Sequence, residues 1–149
     1  MTGKKNHNVS NTLATLLADS YLLALKTQNY HWNVTGMSFG PLHAMFESQY
    51  NDLAAAIDLI AERLRALGEK SPGSFAAFSE LSSIKEETGN PNAAQMIKKL
   101  LADHETLAET CEKVIEAADE VDDEGTEDLA IDRLRFHQKT AWMLKSHLS

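Results

Sequence analysis

Between Asn11 and about Val34 the apolar residues Leu13, Leu16, Leu17, Leu23 and Ala24 recur at helical spacing, which predicts a first amphipathic helix. Ser10 or Asn11 can cap its start. Gly36 and Gly40 interrupt the pattern, and Pro41 sits where a helix accepts a first-turn proline. A second helix is expected from Pro41 to Leu67, ended by Gly68. On its wheel Leu42, Phe46, Leu53, Ile57, Ile60, Leu64 and Leu67 fall within about 80° and form a core stripe. A third helix, Asn92–Ala118, carries Met96, Ile97, Leu100, Leu101, Leu107, Cys111, Val114 and Ile115. A fourth, Thr126–Leu148, carries Leu129, Leu134, Ala141, Leu144 and Leu148, with Glu127 and Asp128 suiting its N-terminus.

The stretch Glu69–Pro91 holds Pro72, Gly73, Gly89 and Pro91, with one possible short helix at Phe75–Leu81. It is too long for a plain hairpin loop. It can instead carry the chain back along the bundle. No strand-like alternation, internal repeat or low-complexity tract is visible. The fold class is therefore all-α: an antiparallel four-helix bundle over residues 11–149, with a short helix in the crossover between helices 2 and 3. Residues 1–10 are read as a flexible tail.

A second stripe on the second helix raises the question of chemistry. His43, Glu47, Asp58 and Glu62 lie about 100° or more away from the core stripe. His43/Glu47 and Asp58/Glu62 are each spaced i, i+4, so each pair shares a face. Glu47 and Asp58 are separated by about 16 Å of helix. Metal–ligand bonds are ~2.0–2.5 Å long. If both pairs serve one metal site, the second pair must come from another copy packed antiparallel about a two-fold axis. The turn through Gly36–Gly40 can bring His31 beside the start of the second helix. Imidazole plus carboxylate suits iron, manganese or zinc. Spacing alone equally admits a solvated face whose acids bridge to Arg63 and Arg65.

Composition narrows the classes. The chain has 149 residues, 43% of them hydrophobic, which suits one domain with a compact core. The opening "MTGKKNHNVSN" has no apolar run, and no stretch is long enough for a membrane helix. A soluble, intracellular protein without membrane partners is expected. Cys111 is the single cysteine, so neither an internal disulfide nor a cysteine zinc cluster can form; a buried core position is expected for it. The net charge of -8 argues against general nucleic-acid affinity and permits cation attraction. The segment "AADEVDDEGTEDLAID" carries eight acidic residues from Asp119 to Asp132, which reads first as a solvated corner.

The string "HWNVTGMSFGPLHAMFE", followed by "DLIAERLRALG", resembles the Dps family (DNA-binding proteins from starved cells), the ferritin-like miniferritins. The ending "HQKTAWMLKSHL" is similar to that family's last helix. The resemblance implies a dodecameric hollow shell of such bundles. It implies a ferroxidase site shared across a two-fold interface, with His31 and His43 as iron ligands from one subunit and Asp58 and Glu62 from its partner. Glu47 stands where the family often has Asp, so it would bind directly or through water. The implied reaction is oxidation of ferrous iron, typically by hydrogen peroxide and otherwise by dioxygen. Ferric oxide mineral would form inside the shell, protecting a bacterial cytoplasm or nucleoid from oxidative stress. Trp32 could then donate an electron when only one iron is oxidised; interface packing is its plainer role. Asp119, Glu124 and Asp128 would line a three-fold pore.

The chain lacks the paired Glu-x-x-His motifs of larger ferritins, which favours a site between subunits. His7, His104, His137 and His147 match no ligand position of the family, and His104 is expected on the polar flank of its helix as a surface or network residue. The competing function is DNA compaction. Lys4 and Lys5 are the only basic pair near a terminus, which predicts weak, salt-sensitive DNA binding at most. An interaction-only bundle would leave the His and carboxylate stripe without a role.

Overall fold

The computed structural model describes residues 2–149. Among these, five helices occur: α1 (Thr2–Asn33), α2 (Phe39–Ala66), α3 (Phe75–Leu81), α4 (Ala93–Glu120) and α5 (Glu124–Ser146). The four long helices form the bundle, and α3 is the short helix of the crossover. α1 packs along both α2 and α4, and α4 along α5, while α2 and α5 touch only sparingly. One core runs through the bundle, built on Leu13, Leu16, Leu17, Leu23, Phe46, Leu53, Ile60, Leu64, Leu100, Leu107 and Val114. Cys111 lies within it as expected, and burial pushes its thiol up to about 12. No helix is long and apolar enough to cross a membrane among the described residues.

Helix ends follow local chemistry. Asn92 and Gln95 form a reciprocal capping box at the start of α4. The Asp123 carboxylate accepts from the Thr126 amide and starts α5 two residues before Thr126. Asp122 takes a left-handed φ of 55° in the α4–α5 corner, a conformation acidic side chains tolerate better than most. α2 begins at Phe39, so Gly40 lies inside the first turn and Pro41 follows it there, where no amide is needed.

Three expectations require correction. α1 starts at Thr2, not near Asn11, so the segment read as a tail is helical; its Val9 is 2% exposed and packs inward. His104 is not on a polar flank but fully buried, as is His137. Their Nδ1 atoms are 2.9 Å apart across the α4–α5 seam, so one donates and the other accepts. The buried face of α5 is Thr126, Ala130, Arg133, His137, Thr140 and Leu144. Leu129, Leu134 and Ala141 are only half-buried and Leu148 is exposed. Arg133 crosses to α2 through Asp52 (2.7 Å) and lies over the Phe136 ring.

The crossover is tied to α1 by buried polar groups. Asp19, wholly buried, accepts from the Ser82 hydroxyl, the Ser83 amide and the Thr110 hydroxyl at 2.7–2.9 Å. Lys26 donates to the Lys85 carbonyl and pairs with Asp103. The Tyr30 hydroxyl donates to Glu87 at 2.6 Å, and Lys99 pairs with the same carboxylate. These two donors hold the Glu87 carboxyl down at about 2. Tyr21 stacks on Phe78 and seats α3.

The His104–His137 pair carries a pH dependence. Burial keeps both imidazoles neutral well below the usual histidine range, helped at His104 by the positive charge of Arg133 and at His137 by His104 and then Arg133. The unfolded chain takes up protons near pH 6.5 while the folded one does not. Stability is therefore full above that value and is lost as pH falls, by up to ~1.4 kcal/mol per histidine per pH unit. Denaturant unfolding at pH 7.5, 6 and 5 should show this fall. A His104→Leu/His137→Leu variant, which removes both partners at once, should show a flatter profile; an unchanged slope would mean other groups set it.

Candidate metal centre

The α1–α2 hairpin builds the site. α1 ends at Asn33, Val34 is buried, and Gly36 adopts a φ of +108° that an L side chain rarely takes. The Phe39 amide then donates to the Gly36 carbonyl, and α2 returns antiparallel. His31 and His43 are equally distant in sequence from Met37, so the hairpin lays them side by side. Their rings stack with centroids 3.8 Å apart and planes 14° from parallel.

The two rings exchange hydrogen bonds with each other's backbone. His31 Nδ1 lies 2.7 Å from the His43 carbonyl, and His43 Nδ1 lies 2.7 Å from the His31 carbonyl. A carbonyl oxygen only accepts, so Nδ1 carries the proton in both rings. In the neutral rings each Nε2 then keeps a bare lone pair, the form that ligates a metal. The His43 ring also satisfies the His31 carbonyl, one of those left without an intrahelical partner at the end of α1. Phe39 lies flat against the outer face of His43 (5.0 Å, 20°), and Tyr50 meets His31 edge-on (5.2 Å, 67°). Sequence reasoning missed Phe39 and Tyr50 as parts of this column. The signal was available, since Phe39 precedes His43 by four residues on one helix face.

The remaining predicted residues are not gathered here. His31 is 7% exposed. His43 is partly buried, whereas Glu47, Asp58 and Glu62 are exposed. Among the described residues, no three His, Cys, Asp or Glu side chains converge within one chain. Arg63 does not bridge to the acids of its own helix face: it pairs with Asp123 at 2.8 Å and donates to Thr126. Arg65 donates to the Glu69 carbonyl. Asp58 and Glu62 thus form no ion pair among the described residues. Trp32 is 60% exposed on the outside of α1. Asp119, Glu124 and Asp128 are all exposed at the α4–α5 corner.

A model of the ferritin-like domain matches residues 10–149. The chain is 36% identical to DNA protection during starvation protein 2 of Bacillus anthracis, over 97% of this chain and 99% of that one. This chain belongs to the Dps family. It is also 41% identical to an uncharacterized low temperature-induced protein of Nostoc sp., over 99% of this chain and 84% of the relative. Its fold superposes on the crystal structure of a Dps protein from Vibrio cholerae with a TM-score of 0.93 at 34% identity, covering 98% of this chain and 92% of the other. That protein is described as a member of a broad superfamily of ferritin-like diiron-carboxylate proteins. The Dps assignment agrees with the all-α bundle and with the motif that runs from His31 to Glu47 and resumes at Asp58.

Proposed function

We propose that this Dps-family chain is the subunit of an iron-storing miniferritin that oxidises ferrous iron at sites shared between two subunits. The observation that carries the proposal is the stacked pair His31/His43, whose Nδ1–H bonds to each other's backbone carbonyls leave Nε2 as the free nitrogen of both rings. The stacked rings offer two separate nitrogen donors, and the proposed site takes one cation per ring. Carboxylates must complete the set, because ferric iron favours hard anionic oxygen. Asp58 and Glu62 are exposed, unpaired and on the lateral stripe of α2, and an antiparallel second copy would bring them to the histidines. Glu47 is the remaining carboxylate on the histidine side and binds directly or through water.

In this reading iron is the substrate and peroxide or dioxygen the electron acceptor. Two irons oxidised together supply both electrons that peroxide needs, so no hydroxyl radical is released. Trp32 is the reserve donor when a single iron is oxidised. Ferric product moves inward and accumulates as mineral in a shell, read as a dodecamer. Stopped-flow absorbance in the near ultraviolet, after anaerobic ferrous loading and peroxide addition, tests the site. Asp58→Ala/Glu62→Ala should lose fast oxidation while assembling normally. Equal rates would make the stripe structural.

Asp119, Glu124 and Asp128 cluster at one exposed corner, which fits an entry route that concentrates ferrous ions before they reach the sites. Glu124→Gln/Asp128→Asn should slow iron uptake at low ionic strength and less so in high salt, because screening weakens such steering. An unchanged rate at low salt would remove the entry role.

DNA binding is the second reading, and one observation favours it: α1 extends to Thr2 and presents Lys4, Lys5 and His7 exposed on a helical arm. Two lysines per chain, repeated over an assembly, give salt-sensitive attachment. A gel shift with linear duplex DNA should show retention at low salt that disappears at moderate salt and in Lys4→Gln/Lys5→Gln. No retention at low salt would leave iron chemistry alone.

A further inference from the structure

We infer that Phe39 is a positioning residue for the metal-binding form of His43, and that the working unit of this half-site is a three-ring column, Phe39–His43–His31. The inference rests on the proposed iron site and adds a residue to it.

The geometry sets Phe39 apart from the other apolar side chains near the site. Its ring is nearly parallel to His43, at 5.0 Å and 20°. His43 in turn lies on His31 at 3.8 Å and 14°. Each imidazole therefore has one face on the other, and His43 has its second face on Phe39. His31 is bounded differently, by the edge of Tyr50. Phe39 is the first residue of α2 and is 44% exposed, so it covers the ring without being part of the core. The remaining freedom of His43 is rotation about its side-chain bonds. A half-turn of the ring would exchange the positions of Nδ1 and Cδ2 and break the bond to the His31 carbonyl. That bond, at 2.7 Å, is what places a proton on Nδ1 and leaves Nε2 as the ligating nitrogen of the neutral ring. A flat aromatic face on the solvent side opposes rotation and excludes water that would compete for Nδ1–H. Outer-shell partners of this kind fix ring orientation and ligand basicity.

A neutral imidazole between two flat rings is also held by stacking, which a branched aliphatic side chain of similar volume cannot reproduce. The chemistry thus asks for a ring at position 39, not merely for bulk. Phe39→Leu keeps apolar cover and removes the flat face. Phe39→Tyr keeps the face.

Cobalt(II) is the probe, because its visible absorbance reports nitrogen ligation without any oxidation. The assembled protein is titrated anaerobically with Co²⁺ and compared with Phe39→Leu, Phe39→Tyr and Asp58→Ala/Glu62→Ala, with thermal unfolding as a control. Phe39→Leu should bind Co²⁺ about 10-fold more weakly, the lower end for losing an outer-shell partner. Its absorbance bands should also shift, while its unfolding temperature stays near wild type. Phe39→Tyr should restore both affinity and bands. Wild-type affinity and bands in Phe39→Leu would overturn the inference and leave Phe39 as apolar cover, with the site itself intact. Weakened binding that Phe39→Tyr fails to restore would overturn it as well. Wild-type protein that binds no Co²⁺, or binding unaffected by Asp58→Ala/Glu62→Ala, would bring down the proposed iron site first and this inference with it.

Discussion

The arrangement depends on the antiparallel return of α1 into α2. Five residues make the turn, and its register places His31 and His43 at matching heights. Their swapped bonds to backbone carbonyls then fix three things together. They satisfy a carbonyl at the end of α1, where the helix supplies no amide of its own. They choose the tautomer of both rings. They set the rotation of α2 about its axis. With that rotation fixed, Leu42, Phe46, Leu53, Ile60 and Leu64 face the core, and the polar stripe faces sideways. A one-residue slip would turn the stripe by about 100° and break both bonds together.

Much of this was legible because two periodicities coexist on one helix. The core stripe of α2 and its displaced His/acid stripe can be separated on a wheel, and the structure buries the first and leaves Glu47, Asp58 and Glu62 exposed. The short helix Phe75–Leu81 and the buried Cys111 were readable from local composition. The N-terminal part of α1 was not readable. Its residues are mostly polar, and only Val9 packs inward, so apolar periodicity had nothing to register there. The face of α5 was missed for a different reason. A search for leucines finds Leu129, Leu134 and Leu148, whereas the buried seam is Thr126, Ala130, Arg133, His137 and Thr140. Small and polar residues fit there because α4 lies close, and His137 and Arg133 each reach one partner in a neighbouring helix. His104 follows the same logic. Its position looks polar until its partner, thirty-three residues on, is known.

The polar seam and the crossover anchors do similar work at different places. A long connection costs little additional entropy to close, roughly 0.6 kcal/mol for each doubling of length. Closing it does not fix its path. Asp19, Lys26 and Tyr30 are spaced along α1 and each takes hold of the crossover at a different point. Removing one partner would strand a buried charge or hydroxyl, which is costlier than the bond is worth. The later part of the crossover, from Ser82 to Glu87, is therefore held against α1, Ser71 ties its start to the Ala61 carbonyl of α2, and the flank of α2 that carries Glu47, Asp58 and Glu62 stays uncovered.

In the function proposed above, that uncovered flank leaves the metal site half built in one chain. Nothing in the fold requires Glu62 to lack a cation: Arg65, three residues on, could have bridged to it. The fold instead commits Arg63 to the start of α5, through Asp123 and Thr126, and Arg65 to the end of its own helix. In a chain of net charge -8, leaving two like charges one turn apart without compensation weakens the helix by a few tenths of a kcal/mol. The matching deficit lies at the other end of α2, where two imidazoles stand with a single carboxylate, Glu47, too little negative charge to balance two bound cations. Each end lacks what the other has, and a straight helix cannot bring its own ends together. Two copies, related by a two-fold axis and running antiparallel, remove both deficits at once when cations occupy the junction. In the proposed function the cation is thus a structural link between subunits as well as a substrate, and metal occupancy and dimer stability would be thermodynamically coupled.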